Sequence, residues 1–173
     1  MKGFVYANII AAVAAFVGST TVNAQATQKP EAIDYAVYSA VVDQLSGRWA
    51  SPLVLIIDRT VSPNLSKLDL AESLPAELIE DFRLKNTVAY SLERDFKLSK
   101  KYRLISEAEG AARHAGGAPI VALSRIGFNR KKDWAFVYFI ARQTELSRKE
   151  QFVILSKEPE GWRVIRSVPR FVH

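Results

Sequence analysis

Four runs of strand-forming residues in the last third of the chain constrain its fold more than any other feature. A polar segment at 129–133 separates the first run from the second, and a Glu-Pro-Glu-Gly segment at 158–161 separates the third from the fourth. Both segments are rich in turn-forming residues. Short apolar runs joined by such turns are typical of an antiparallel meander. The sequence therefore predicts four consecutive strands, Ile120–Phe128, Trp134–Arg142, Gln151–Lys157 and Trp162–Val168.

The second of these runs has an unusual pattern. Between Trp134 and Ala141, both the odd and the even positions are apolar. Because successive side chains of a strand point to opposite faces of the sheet, such a strand is buried on both sides. We expect it in the middle of the sheet, with other elements packed on each face.

The residues that follow Pro30 predict an amphipathic helix that ends near Leu45. Apolar residues recur there at steps of three and four, which places them on one side of a helix. The helix would pack that side against the predicted sheet. The stripe consists of Ile33, Val37, Ala40, Val41 and Leu45.

The segment between this helix and the meander predicts a mixture of elements. Residues 53–57 and 102–106 predict strands, residues 73–86 predict a short helix, and the Ala- and Gly-rich residues 107–119 predict a mobile loop. Together these patterns predict an α+β fold, in which N-terminal helices pack on a curved antiparallel sheet that ends in the four-strand meander. Cystatin-like and NTF2-like domains have such a cone-shaped arrangement.

The first 24 residues have the pattern of a secretory signal peptide. Lys2 precedes an apolar run from Phe4 to Val17, and Val22-Asn23-Ala24 resembles a cleavage site. We therefore predict a signal peptide at 1–24 and a single domain at 25–173. The protein would be exported to a periplasm or secreted, with no membrane span after cleavage.

Composition excludes several kinds of chemistry. The chain has no cysteine, so it can form no disulfide, no thiolate nucleophile and no cysteine-ligated metal site. It has two histidines, fewer than a zinc site usually takes. We expect neither a metal nor a cofactor.

Positive charge is concentrated at the carboxyl end. Residues 125–173 contain eleven basic and five acidic side chains, whereas residues 25–124 contain twelve and thirteen. This asymmetry indicates an anionic partner, such as an envelope component or a protein. Nucleic acid is disfavoured because of the export signal and because the nearby aromatic residues fit the core. The candidate binding residues are Arg125, Asn129, Arg142, Arg163 and Arg166.

Two residues are candidates for catalysis. Asp58 ends the predicted strand 53–57, and a carboxylate buried at a strand end could act as a base. The alternative is that it caps the following turn. His114 lies near Glu107 and Glu109 and could form an acid–base pair, or it could simply be an exposed loop residue.

Two short motifs are found in the last third of the chain, Ser124-Arg125-Ile126-Gly127-Phe128-Asn129 and Gly161-Trp162. With them, the mature chain resembles a group of uncharacterised bacterial exported proteins. The resemblance rests on a strand end of the form SRxGFN and on a final GxW hairpin. It implies a fold, NTF2-like or cystatin-like, and an exported location, but no activity.

These observations leave two classes of function open. The first is an exported domain that binds a protein, an envelope polymer or a small ligand without catalysing a reaction. The second is a hydrolase or isomerase with an NTF2-like pocket and Asp58 as its base. A pocket in which Asp58, a tyrosine and an arginine meet would favour the enzyme.

Overall fold

The computed structural model describes residues 29–64, 74–113, 117–144 and 147–170. These residues form three helices and seven strands. The helices are α1 (Ala32–Ser46), α2 (Ala76–Lys85) and α3 (Glu107–Ala112). The strands are β1 (Leu53–Ile57), β2 (Lys101–Ile105), β3 (Ile120–Leu123), β4 (Gly127–Phe128), β5 (Trp134–Arg142), β6 (Arg148–Glu158) and β7 (Gly161–Arg170).

The seven strands form one open, mixed sheet. Its order is β2-β1-β3-β5-β6-β7, and the short β4 also pairs with β5. Strand β1 is parallel to both β2 and β3, whereas β3, β4, β6 and β7 join the sheet through antiparallel pairs. The α+β class and the C-terminal meander are therefore confirmed.

Strand β5 is buried on both faces, as its sequence predicts. On one face Val137 and Phe139 pack in a cluster with the apolar side of α1. On the other face Phe136 and Tyr138 pack with α2, where the Phe136 and Phe82 rings lie 4.7 Å apart. The sheet is thus covered by one long helix on each side, and β5 anchors both cores.

Three expectations from the sequence are corrected. The sheet is mixed because β1 and β2 lie parallel to each other. The segment that was expected to be a loop begins with α3, whose first turn is capped by the Ser106 hydroxyl accepting the N–H of Glu109 at 3.1 Å. The strand expected at 120–128 is divided into β3 and β4 by residues 124–126, which leave the regular ladder and form part of the site described below.

Two predicted features lie outside the described residues, namely the signal peptide at 1–24 and His114. Within the described residues, no helix is long and apolar enough to cross a membrane.

Candidate functional site

A cavity of about 360 Å³ lies where the beginning of α1, the end of α2 and the β3–β4 connection meet. Its volume is within the usual range for small-ligand pockets. Four of its lining side chains are basic and two are acidic. The lining consists of Lys29, Glu31, Ile33, Asp34, Tyr38, Lys85, Tyr90, Arg125, Ile126, Phe128 and Lys132.

Arg125 is held at this cavity by a side-chain clamp on its backbone. The buried Asn86, which follows the last turn of α2, accepts the backbone N–H of Arg125 at 2.9 Å and donates to its carbonyl at 3.1 Å. The same amide also donates to the carbonyl of Phe82 at 2.8 Å. Asn86 thus replaces the sheet hydrogen bonds that the β3–β4 connection does not make, and it fixes Arg125 relative to α2.

Ser124 fixes the same connection to β5 and to α1. Its hydroxyl accepts the N–H of Tyr138 at 2.8 Å and donates to the carbonyl of Arg125 at 2.8 Å. Its own carbonyl accepts the hydroxyl of Tyr38, on α1, at 2.9 Å. The break in the strand is therefore an ordered feature, in which the backbone groups of Ser124 and Arg125 are hydrogen-bonded.

The glycine and phenylalanine that follow bring β4 against α2. A Cβ on Gly127 would lie 2.6 Å from the Cβ of Phe82 and 2.8 Å from the carbonyl oxygen of Leu78, so only glycine fits this approach. The N–H of Phe128 donates to Asp81 Oδ2 at 2.7 Å. The Phe128 ring lies at the cavity wall, with Lys85 Nζ 5.0 Å from its centre.

The guanidinium of Arg125 is buried and stacks on an aromatic ring. Arg125 is 8% exposed, and its Cζ lies 3.5 Å from the centre of the Tyr90 ring. Its Nη2 donates to the Tyr90 hydroxyl, while its Nε is buried and has no hydrogen-bond partner among the described residues. Burial lowers the pKa of Arg125, although nearby groups such as Tyr90 oppose this effect.

The three lysines at the cavity differ from Arg125 because each is close to a carboxylate. Lys29 lies 2.5 Å from Glu93, Lys85 lies 2.8 Å from Asp81, and Lys132 lies 3.7 Å from Glu31. Among the described residues, Arg125 forms no such ion pair. The most buried cation of the cavity is therefore the one that lacks a carboxylate.

Asp34 is half-buried, whereas Glu31, the other acidic residue of the cavity lining, is exposed. It lies in the first turn of α1, where its Oδ2 accepts the N–H of Glu31 at 2.7 Å. Burial raises its pKa, while the hydrogen bond from Glu31 and the charge of Lys85 lower it. Burial also raises the pKa of Tyr38 well above its usual value, so this hydroxyl stays protonated at neutral pH.

Of the sequence candidates that lie within the described residues, Arg125 alone lines this cavity. Asp58 is half-buried after β1, where its N–H donates to the carbonyl of Ile105 and its carbonyl accepts the N–H of Leu92. The cavity does bring together an arginine, two tyrosines and two carboxylates, but the carboxylates are Glu31 and Asp34 and not Asp58.

Asn129 and Arg142 make contacts that hold neighbouring segments in place. The Asn129 side chain accepts the N–H groups of Asp133 and Trp134 at 3.1 and 3.0 Å, which shapes the β4–β5 hairpin. Arg142 donates to the carbonyl of Gly110 and so ties α3 to the sheet.

Arg163 and Arg166 lie away from the cavity. Both are exposed on β7, at the edge of the sheet, and Arg163 is 3.5 Å from Glu158. The arginines proposed from sequence as binding residues thus lie on different parts of the fold and do not form one site.

Sequence reasoning missed Asp34, Asn86 and Tyr90. Asp34 has the position of an ordinary acidic residue in a first helical turn, and Tyr90 lies in a segment without periodicity. Asn86 had a usable signal, because asparagine is common at helix ends. The SRxGFN motif was a further signal, since its Arg125, Ile126 and Phe128 line this cavity. Its Ser124 and Gly127 hold the connection against β5 and α2.

A second groove, of about 560 Å³, runs along the outer side of α1 towards Trp162. Its Asp43 is occupied by hydrogen bonds from the N–H and hydroxyl of Ser99 at 2.9–3.0 Å. Its other charged side chains, Asp95, Lys97 and Glu160, are exposed. This groove therefore has no buried charge that would identify a ligand.

Comparisons with protein-family models, with curated proteins and with solved structures gave no match to this chain. Within the described residues, no three His, Cys, Asp or Glu side chains are grouped so that they could hold a metal ion.

Proposed function

We propose that the protein is an exported, noncatalytic binding domain that holds the anionic group of a small ligand at Arg125. One observation carries the proposal. The guanidinium is buried without a carboxylate partner in a cavity whose three lysines are each close to a carboxylate. Burying a charge without a counter-charge destabilises a fold, so such a group is a candidate for function.

The chemistry of Arg125 fits an anionic group. Its planar guanidinium can donate two parallel hydrogen bonds to a carboxylate or a phosphate. Tyr90 holds the plane by stacking, and Asn86 holds the backbone. The donor is therefore preorganised, which reduces the entropy lost when a ligand binds.

The cavity wall also favours binding over catalysis. Its lysines are engaged with carboxylates, and the hydroxyls of Tyr38 and Tyr90 are protonated at neutral pH, since burial raises their pKa values further above 10.0. These groups can orient a ligand, but none of them is a ready nucleophile.

The test is calorimetric titration of the purified protein with acetate and with inorganic phosphate at low ionic strength. Arg125→Met keeps much of the side-chain length and removes the charge, while Arg163→Met is the matched control at the sheet edge. We expect Arg125→Met to weaken binding at least tenfold, about the contribution of one charge-assisted hydrogen bond, and Arg163→Met to leave it unchanged. Equal affinities for Arg125→Met and the wild type, or no binding of either anion, would refute the proposal.

Export is tested separately. We expect the protein recovered from the exported fraction to begin at Gln25 when its mass is measured. Recovery of the intact chain from the cytoplasm would contradict this part of the proposal.

A further inference from the structure

We propose that the ligand of this cavity is a zwitterion, which places its anionic group at Arg125 and its ammonium group at Asp34. This inference rests on the proposed function and adds the chemical class of the ligand. It depends on the carboxylate of Asp34 in the cavity lining, because anion binding alone does not explain an acidic residue there.

Asp34 retains the capacity to bind a cation. One of its oxygens, Oδ2, accepts the N–H of Glu31 at the start of α1. Its Oδ1 has no hydrogen-bond partner among the described residues, and Asp34 forms no ion pair with them. A carboxylate oxygen at the wall of a ligand cavity is a suitable acceptor for an ammonium group.

The cavity therefore presents two opposite charges that do not neutralise each other. Asp34 and Arg125 line the same cavity, and each influences the pKa of the other, yet they form no ion pair with each other. Both are partly or largely removed from water, which makes an uncompensated charge costly. A ligand with a cationic and an anionic end compensates both at once.

The alternative explanation is that Asp34 serves only the helix. Glu31 and Asp34 form reciprocal side-chain-to-backbone hydrogen bonds that cap α1. Asp34→Asn separates the two roles, because an amide oxygen still accepts the N–H of Glu31 while the negative charge is lost. The variant should therefore fold and lose only the contribution of the charge.

The experiment compares three probes of similar size by calorimetric titration at pH 7 and low ionic strength. L-alanine carries both charges, propionate lacks the amine, and ethylamine lacks the carboxylate. A second arm compares phosphoethanolamine with ethyl phosphate and so distinguishes a carboxylate ligand from a phosphate ligand. Each arm uses the wild type, Asp34→Asn, Arg125→Met and, as a control, Glu160→Gln in the exposed β6–β7 turn.

We expect at least one zwitterion to bind about tenfold more tightly than its amine-free partner, since a charge-assisted hydrogen bond contributes that much. Asp34→Asn should abolish this preference and leave the affinity for the simple anion unchanged or improved. Arg125→Met should weaken the binding of both the zwitterion and the simple anion, and Glu160→Gln should change the affinity for neither.

The outcomes separate this inference from the proposed function. If simple anions bind through Arg125 but the wild type does not prefer the zwitterion in either arm, the zwitterion inference is wrong and anion binding stands. A preference that survives in Asp34→Asn also overturns it, because the ammonium group then lies elsewhere. If no probe with an anionic group binds, both proposals fail.

Discussion

Gly127→Ala should separate α2 from β4 and thereby loosen the wall of the cavity. The added Cβ would lie 2.6 Å from the Cβ of Phe82, 2.8 Å from its Cα and 2.8 Å from the carbonyl oxygen of Leu78. Two of these three atoms belong to the backbone of α2, so no side-chain rotation can relieve the overlap. The helix has to move, and it carries Asn86 at its end.

The expected cost follows from this geometry. Overpacking a core by one methyl group typically costs 1–3 kcal/mol, and contacts with backbone place this site near the upper end, about 3 kcal/mol. For a domain of this size, each kcal/mol lowers the melting temperature by about 2–4 °C, which predicts a decrease of roughly 9 °C. Thermal and urea denaturation measure the change.

Two other glycines provide matched controls. A Cβ on Gly117 meets no atom within 4 Å, so Gly117→Ala should change the stability by less than about 0.5 kcal/mol. Gly161 also has open space, but its φ of 127° disfavours any side chain, so Gly161→Ala should cost about 1–3 kcal/mol through backbone strain alone. If Gly127→Ala lowered the stability no more than Gly117→Ala, our description of β4 as closely packed on α2 would be wrong.

Three further substitutions test the site and the core. Asn86→Ala leaves the N–H and carbonyl of Arg125 without their partner and should lower the free energy of unfolding in urea by about 3 kcal/mol. The control Thr87→Ala, at an exposed residue, should lower it by less than about 1 kcal/mol. Similar costs for the two variants would contradict the role of Asn86 in holding Arg125. Burial raises the pKa of Asp34 above 3.8, so the native state holds that proton more tightly than the unfolded state, and stability is lost as the pH rises through the raised pKa. Asp34→Asn should therefore be more stable than the wild type at pH 7, with an advantage that shrinks below about pH 4, and an advantage independent of pH would refute this. Burial, with a hydrogen bond to a carboxylate, raises the pKa of Tyr138 from 10.0 to about 12. The free energy of unfolding of the wild type should therefore fall by about 2–3 kcal/mol between pH 10 and pH 12, and that of Tyr138→Phe should fall less. Parallel stability curves for the two proteins would exclude this explanation.

Much of the fold could be predicted because periodicity reports burial directly. Apolar residues on both faces of β5 predicted its central position, and the stripe along α1 predicted the helix and the side on which it packs. The parallel pairing of β1 with β2 could not be predicted in this way. Residues 58–100 connect those strands, and a long connection does not specify which strands become neighbours.

The site was less accessible from sequence because it depends on tertiary contacts. Arg125 was one of several arginines that the sequence offered as binding residues, and only its tertiary contacts distinguish it. These are the burial of its guanidinium against Tyr90 and the contacts of its backbone with Asn86 and Ser124. Asp34 becomes a cavity residue because the β3–β4 connection lies over the start of α1. Neither fact leaves a periodic pattern in the chain.

The central claim is that the guanidinium of Arg125 receives the anionic group of a ligand, and NMR of its side chain tests this most directly. The Nε–H signal can be assigned by its loss in Arg125→Lys, and it can then be followed as acetate, phosphate or a zwitterion is added. We predict a saturable shift of this signal with the same affinity as calorimetry gives. A signal that stays in place while the ligand binds would show that the ligand occupies another part of the protein.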